Sequence, residues 1–387
     1  MKKICILLLF VILLAGCNTT NNEIFNTSYD VDINIDDISK AFVPAAKKGS
    51  ESLIGISVYA KKTILGEYQE YSRGSGVVYK GIAYLKDGTI TEDIETTKNS
   101  NEVNKYKYFA VTNEHVIKSN LINSVIKVYF GEQNILVDGV VLGKDTMEDL
   151  AVVSFETSIY ITPIEFEDTD KIQKGEFVMA IGNSEGYEYF STTTLGIISH
   201  PKRYIEVNRD KNSDGIDETK VSCEYIQHDA SINSGNSGGL LINSQGKLLG
   251  INTIKLMDKE EYIEGMGFAI PSNIVLKFIP YLEKGNTYKG YSISSTLYSV
   301  NDLKNTDISN APEIKLQALN EFDYGVYVLN ISVNKLGIES NDLILEVNDE
   351  KVYDSKIFNT KIRYLNDTTV KLKIIRNNKL IEYLVDL

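Results

Sequence analysis

The stretch Tyr225–Leu241 reads Y-I-Q-H-D-A-S-I-N-S-G-N-S-G-G-L-L. An apolar run arrives at Ile226 and another leaves from Leu240, and between them Gly235, Gly238 and Gly239 flank one serine, Ser237. Glycine tolerates positive φ and the close approach of another chain. A serine between glycines is therefore presented on a tight turn, with backbone N–H groups beside its hydroxyl. Acyl transfer needs that pairing of a nucleophile with donors for the developing oxyanion. The same letters also describe a Gly/Asn/Ser hairpin turn, so the choice rests on the chain around them.

A serine nucleophile needs a base within hydrogen-bond reach, and the chain has three histidines, His115, His200 and His228. His115 follows the apolar run Tyr108–Thr112 and precedes Val116-Ile117, where a strand ends and turns. Loops on a rigid scaffold are where catalytic groups concentrate. His228 lies in the strand that enters the serine turn, and His200, beside Pro201, reads as a surface turn. An orienting acid is available in Asp149, directly before the apolar run Leu150-Ala-Val-Val153, with Asp145 as a rival.

Composition narrows the class. A net charge of −13 with no basic block beyond Lys2–Lys3 argues against a nucleic-acid partner. Cys5 and Cys17 are N-terminal and Cys223 stands alone in the rest, so neither a disulfide framework nor a cysteine metal site is expected. The histidines lack H-E-x-x-H spacing, and no cofactor is expected. Asp210, Asn212 and Asp214 with Gly215 match the first half of an EF-hand-type loop, but Val221 occupies the twelfth position, so they form only a weak calcium candidate.

The amino terminus combines Met1-Lys2-Lys3 with the apolar run Ile4–Ala15 and reads as a signal peptide. Leu14-Ala15-Gly16-Cys17 resembles the bacterial lipobox, which implies lipidation at Cys17 and an extracytoplasmic protein tethered to the membrane. From Leu53 onward short strand-like runs are punctuated by Gly, Asp and Asn, the pattern of a mainly β sandwich or barrel. Residues 81–105 read as a protruding hairpin, and Ser272–Ile279 after Pro271 as a short closing helix. Asp36–Lys48 has helical charge placement but is interrupted by Pro44. The expected organisation is a signal peptide (1–16), an anchored linker (17–50), a catalytic domain (51–283) and a small β-rich domain (284–387).

In order, R-G-S-G-V-V (73–78), T-N-E-H-V-I (112–117), Asp145–Val153, I-G-N (181–183), G-I-I-S (196–199), the serine turn, G-I-N-T (250–253) and G-F-A-I-P (267–271) resemble the blocks of the HtrA/Deg serine proteases. The resemblance implies a chymotrypsin-like double β-barrel in which His115 is general base, Asp149 orients it and Ser237 attacks. It also implies an oxyanion hole from the N–H groups of Gly235 and Ser237. Ser231 and Ile232 would border the specificity pocket and favour a small aliphatic residue before the scissile bond. Where the family usually has alanine, proline and proline, this chain has Ser231, Ser234 and Leu240, and His228 stands where threonine is common. Without the proline restriction at Ser234, a more mobile resting loop is expected.

The last hundred residues resemble a PDZ domain, with Tyr291, Ser292 and Ile293 at the candidate carboxylate-binding loop. Such domains take extended C-termini as an added strand. The expected partners are unfolded or extended proteins, with a homotrimer implied by resemblance. The alternative is a catalytically latent chaperone or scaffold that binds segments through the PDZ-like domain.

Overall fold

The computed structural model describes residues 35–119, 121–130, 135–184, 186–210, 219–253, 264–305, 321–365 and 369–387. The signal-peptide stretch, Cys17, Asn212 and Asp214 lie outside the described residues. Residues from Ala41 onward form one compact unit. A helix, Ile35–Ser50, runs into it with Pro44 inside. Burial of Ala45, with Phe42 and Ala46 packed on the same core, keeps the helix continuous through a proline expected to interrupt it.

Seven strands follow: β1 (Leu53–Lys61), β2 (Gln69–Leu85), β3 (Ile90–Thr91), β4 (Val103–Thr112), β5 (Ile122–Phe130), β6 (Ile135–Asp145) and β7 (Leu150–Thr157). They run in the order β1-β5-β6-β7-β4-β2-β3, and β1 pairs back onto β2, closing a six-stranded barrel with β3 appended. The expected protruding hairpin is the far end of β2 with β3, where Ala83 and Tyr84 pair with Thr91 and Ile90. Its interior is filled by Ile54, Ile56, Val58, Val78, Tyr108, Val128, Val153 and Phe155, largely alternate residues of facing strands.

A second closed barrel joins β8 (Phe177–Gly182), β9 (Thr192–Arg209), β10 (Thr219–His228), β11 (Leu240–Ile242), β12 (Leu248–Thr253) and β13 (Gly267–Pro271). Closure satisfies every edge, so no row of backbone donors is left open. Pro271 then starts the helix Ser272–Leu282, as expected, and its buried Ile274, Val275, Phe278 and Leu282 join a core shared by both barrels.

The C-terminal β domain is a sheet in the order β14 (Ser295–Ser299), β15 (Val326–Ile331), β16 (Leu343–Val347), β18 (Thr369–Arg376) and β19 (Lys379–Asp386), with β17 (Glu350–Lys351) paired on β16. Its own core centres on Val328, Ile344, Phe358, Leu372 and Ile374. The helix Ser355–Arg363 was not expected from the β-like composition of this region. Asp354 caps it, its carboxylate accepting from the Ile357 N–H at 2.9 Å, and Phe358 and Ile362 bury one face.

Candidate active site

His115 sits on a single helical turn, Glu114–Ile117, that interrupts the chain directly after β4. The turn is tied to the start of β7. The Glu114 N–H donates to the Asp149 carbonyl at 3.1 Å, and Asn113 Nδ2 donates to the same oxygen at 3.0 Å. The His115 N–H donates to Asp149 Oδ1 at 2.9 Å, while the ring Nδ1 lies 2.8 Å from Oδ2 and 3.0 Å from Oδ1. Thr253 Oγ1 adds a contact to Oδ2 at 3.2 Å.

Asp149 is 2% exposed, and burial alone would raise its pKa. The His115 ring and N–H together with the Arg209 guanidinium overcome that and hold it at about 2, so it is a carboxylate at neutral pH. A carboxylate can only accept, so Nδ1 carries the ring proton and a neutral ring keeps its lone pair on Nε2. The rival Asp145 turns away, its Oδ1 accepting from the Glu148 N–H at 2.9 Å.

Ser237 is carried by the loop from β10 to β11 and is 4% exposed. Asn233–Asn236 forms a turn closed by Asn236 N–H to Asn233 carbonyl at 3.0 Å, with Gly235 at φ 95° in the third position. Positive φ there is the mark of a type II turn, which also favours proline at the second position, here Ser234. Gly238 follows Ser237 at φ 82°, and a Cβ on it would lie 2.1 Å from the Ser75 carbonyl oxygen and 2.4 Å from Thr112 Oγ1. Only glycine lets the turn press this closely on the first barrel.

One residue stitches the two barrels at this point. The Ser75 N–H donates to the Ser237 carbonyl at 2.8 Å, and its own carbonyl accepts from Thr112 Oγ1 at 2.6 Å. Its hydroxyl donates to the Gly235 carbonyl at 2.7 Å and accepts from the Asn183 N–H at 2.8 Å. Gly74 beside it separates the two halves of the site, since a Cβ there would meet Val116 at 2.7 Å and the Ser237 carbonyl oxygen at 3.0 Å. The helical turn that carries His115 and the serine turn thus converge on one face of β2 at Gly74, from different barrels. Ser75 and Thr253 stand in the Gly-Ser-Gly and Gly-Ile-Asn-Thr blocks, which carry no assigned role for either in the sequence alone.

A trypsin-like peptidase domain model matches residues 100–251. The serine protease Do-like HtrA of Lactobacillus helveticus is 33% identical over 343 residues, covering 87% of this chain and 73% of that one. The chain belongs to the HtrA serine proteases. It is a serine endopeptidase by that membership and by its peptidase domain. A further relative is the probable periplasmic serine endoprotease DegP-like of Rickettsia conorii, 32% identical over 281 residues, 70% of this chain and 50% of that one. Among solved structures, the HtrA-type protease AlgW with decapeptide superposes with a TM-score of 0.55 at 20% identity, covering 89% of this chain and 97% of that one. The fold is therefore the expected chymotrypsin-like double barrel followed by a C-terminal β domain.

The other expected site residues of this HtrA protease are distributed as follows. Ser231 is exposed, its carbonyl accepting from Thr194 Oγ1 at 2.9 Å, whereas Ile232 is buried with Val178, Ile198 and Leu249. His228 is fully buried against Gly267, and burial lowers its pKa to about 4, so it is neutral. Cys223 is buried, and burial pushes its thiol up to about 11, which leaves it unreactive. Asp210 pairs with Lys118 Nζ at 2.7 Å, and among the described residues no cluster of three or more acidic, histidine or cysteine side chains is placed to hold a metal ion.

In the C-terminal domain, the Tyr291 hydroxyl accepts from the Lys335 N–H, Ser292 is exposed and Ile293 packs on the domain core. These three residues precede β14, which among the described residues pairs only with β15. Among the described residues no helix is long and apolar enough to cross a membrane.

Proposed function

We propose that Ser237, His115 and Asp149 cleave peptide bonds through an acyl-enzyme. The observation that carries this reading is the 2.8 Å contact between His115 Nδ1 and the Asp149 carboxylate, on a helical turn whose Val116 meets the serine turn at Gly74. Ser237 Oγ attacks the scissile carbonyl carbon and its proton passes to His115 Nε2. The carbonyl oxygen becomes an oxyanion that accepts from the N–H groups of Gly235 and Ser237. Collapse breaks the C–N bond, and His115 returns the proton to the leaving amine. Water, deprotonated by the same nitrogen, then attacks the acyl carbon and releases Ser237.

Unfolded or extended proteins are the proposed substrates, with a small aliphatic residue before the scissile bond. Uncharged Ser231 supports this, because nothing at that position would select Lys or Arg. The C-terminal domain is proposed to be PDZ-like, with the free edge of β14 and the loop Tyr291–Ile293 receiving an extended segment. The lipobox-like Cys17 and the periplasmic relative support an extracytoplasmic protein held at the membrane by a lipid anchor.

The test is Ser237→Ala in a soluble chain beginning after Cys17. Hydrolysis of casein and labelling by a fluorophosphonate probe are both expected to vanish. Labelling that survives the substitution would remove Ser237 from the role.

A further inference from the structure

Directly behind the His115–Asp149 pair lies a second buried polar cluster, built by both barrels and the C-terminal domain. Glu148, the residue before Asp149, has no exposed surface. Its Oε2 lies 3.0 Å from Arg363 Nη2, and the Tyr364 hydroxyl stands 3.0 Å from Oε1 and 3.1 Å from Oε2. Arg363 is held in turn by Cys223 Sγ at 3.0 Å and the Ser222 carbonyl at 3.5 Å, both on β10. The Tyr364 hydroxyl also accepts from the Glu224 N–H at 3.4 Å, and its ring meets Phe278 of the closing helix edge-on. Arg363 and Tyr364 end the helix Ser355–Arg363, so the C-terminal domain reaches this carboxylate of the protease.

Asp149 needs such support. Its φ is 62°, in the left-handed region, which aspartate tolerates better than most residues other than glycine and asparagine but still at a cost that its surroundings must offset. On its far side, the carbonyl is held by Glu114 and Asn113. On its near side the hold is Glu148, whose N–H is bound by Asp145 and whose carboxylate is bound by Arg363 and Tyr364. A buried carboxylate that lost these donors would have to move toward other partners or water, and the peptide joining it to Asp149 would move with it.

On the triad reading given above, we propose that Arg363 and Tyr364 are positioning residues for catalysis: by clamping Glu148 they fix the left-handed backbone of Asp149, and through it the orientation of His115. The C-terminal domain is then part of the catalytic apparatus as well as a candidate substrate-binding module.

The experiment uses the full chain after Cys17. Tyr364→Phe keeps the ring and removes one donor to Glu148. With the variant folded at the assay temperature by circular dichroism, kcat and the rate of fluorophosphonate labelling should both fall about three- to tenfold, the scale of one hydrogen bond's net contribution. KM for a peptide substrate should stay within about twofold, because the clamp does not touch substrate. The double variant Glu148→Leu/Arg363→Met replaces the ion pair with apolar packing. It should recover the melting temperature while kcat stays low.

Wild-type kcat in folded Tyr364→Phe would overturn the proposal, as would recovery of kcat together with melting temperature in the double variant. Ser237→Ala separates the two levels of inference. Full activity in that variant removes the triad and the clamp together, whereas its inactivity beside an unaffected Tyr364→Phe removes the clamp alone.

Discussion

Replacing Asp149 with Asn tests the geometry of the site more sharply than deleting it. The Asp149 carboxylate receives donors on both oxygens: the rigid His115 N–H on Oδ1 at 2.9 Å, and His115 Nδ1 at 2.8 Å with Thr253 Oγ1 at 3.2 Å on Oδ2. An amide in the same place can keep only one acceptor. The backbone N–H cannot rotate away, so the amide oxygen must take the Oδ1 position and the NH₂ the Oδ2 position. Thr253 can turn its hydroxyl to accept, but His115 can adapt only by changing tautomer: Nδ1 becomes the acceptor and the proton moves to Nε2, the atom proposed to receive the Ser237 proton. The shape of the site survives while its proposed base is lost. The expected cost is about 10⁴-fold in kcat, or about 5 kcal/mol of transition-state stabilisation, with little change in KM. Single-turnover cleavage of a chromogenic peptide ester and the rate of fluorophosphonate labelling would both report it. A folded Asp149→Asn variant with kcat within tenfold of wild type would refute the tautomer argument and the orienting role of Asp149.

Two further outcomes follow from the neighbourhood of the site. Ser234 occupies the second position of a type II turn, where proline fits without strain, so Ser234→Pro should stabilise the protein by about 0.4–1 kcal/mol. It should also raise kcat/KM if the resting loop samples inactive shapes; a lower midpoint in urea would show that the turn cannot accept proline. His228 is kept neutral by burial, with a pKa of about 4 against 6.5 when unfolded. A depressed folded value means that its stabilising contribution is complete above about pH 6.5 and is lost as the pH falls through about 4. Relative to His228→Thr, the wild type should therefore lose about 2–3 kcal/mol between pH 7 and pH 4.5 in urea unfolding. Parallel pH dependence of the two proteins would contradict this.

Much of the frame was legible because it depends on local pattern. Apolar runs such as Leu53–Ala60 and Tyr106–Thr112 became β1 and β4, buried along most of their length in the first barrel and its contacts, and such runs are written residue by residue. His115, Asp149 and Ser237 were legible for a related reason, since each stands at a strand end in a block with its own punctuation. The helix Ser355–Arg363 went unread although Asp354 and the Phe358/Ile362 spacing could have signalled it; β-branched and aromatic residues on both sides masked the period. Pro44 was given too much weight, because tertiary burial of Ala45 outweighs one missing hydrogen bond. The contact between Glu148 and Tyr364 spans 216 positions, and no local rule connects residues that far apart.

The fourfold engagement of Ser75 has a consequence for the life of the chain before it is finished. The proposed base and its acid belong to a barrel completed by Thr157, while the nucleophile belongs to one completed only at Pro271, and the two become a single centre when Ser75 finds Ser237, Gly235 and Asn183. A half-made or half-unfolded molecule therefore has no competent blade. On the proposed reading, a centre placed on the seam between two barrels is assembled only after both have folded.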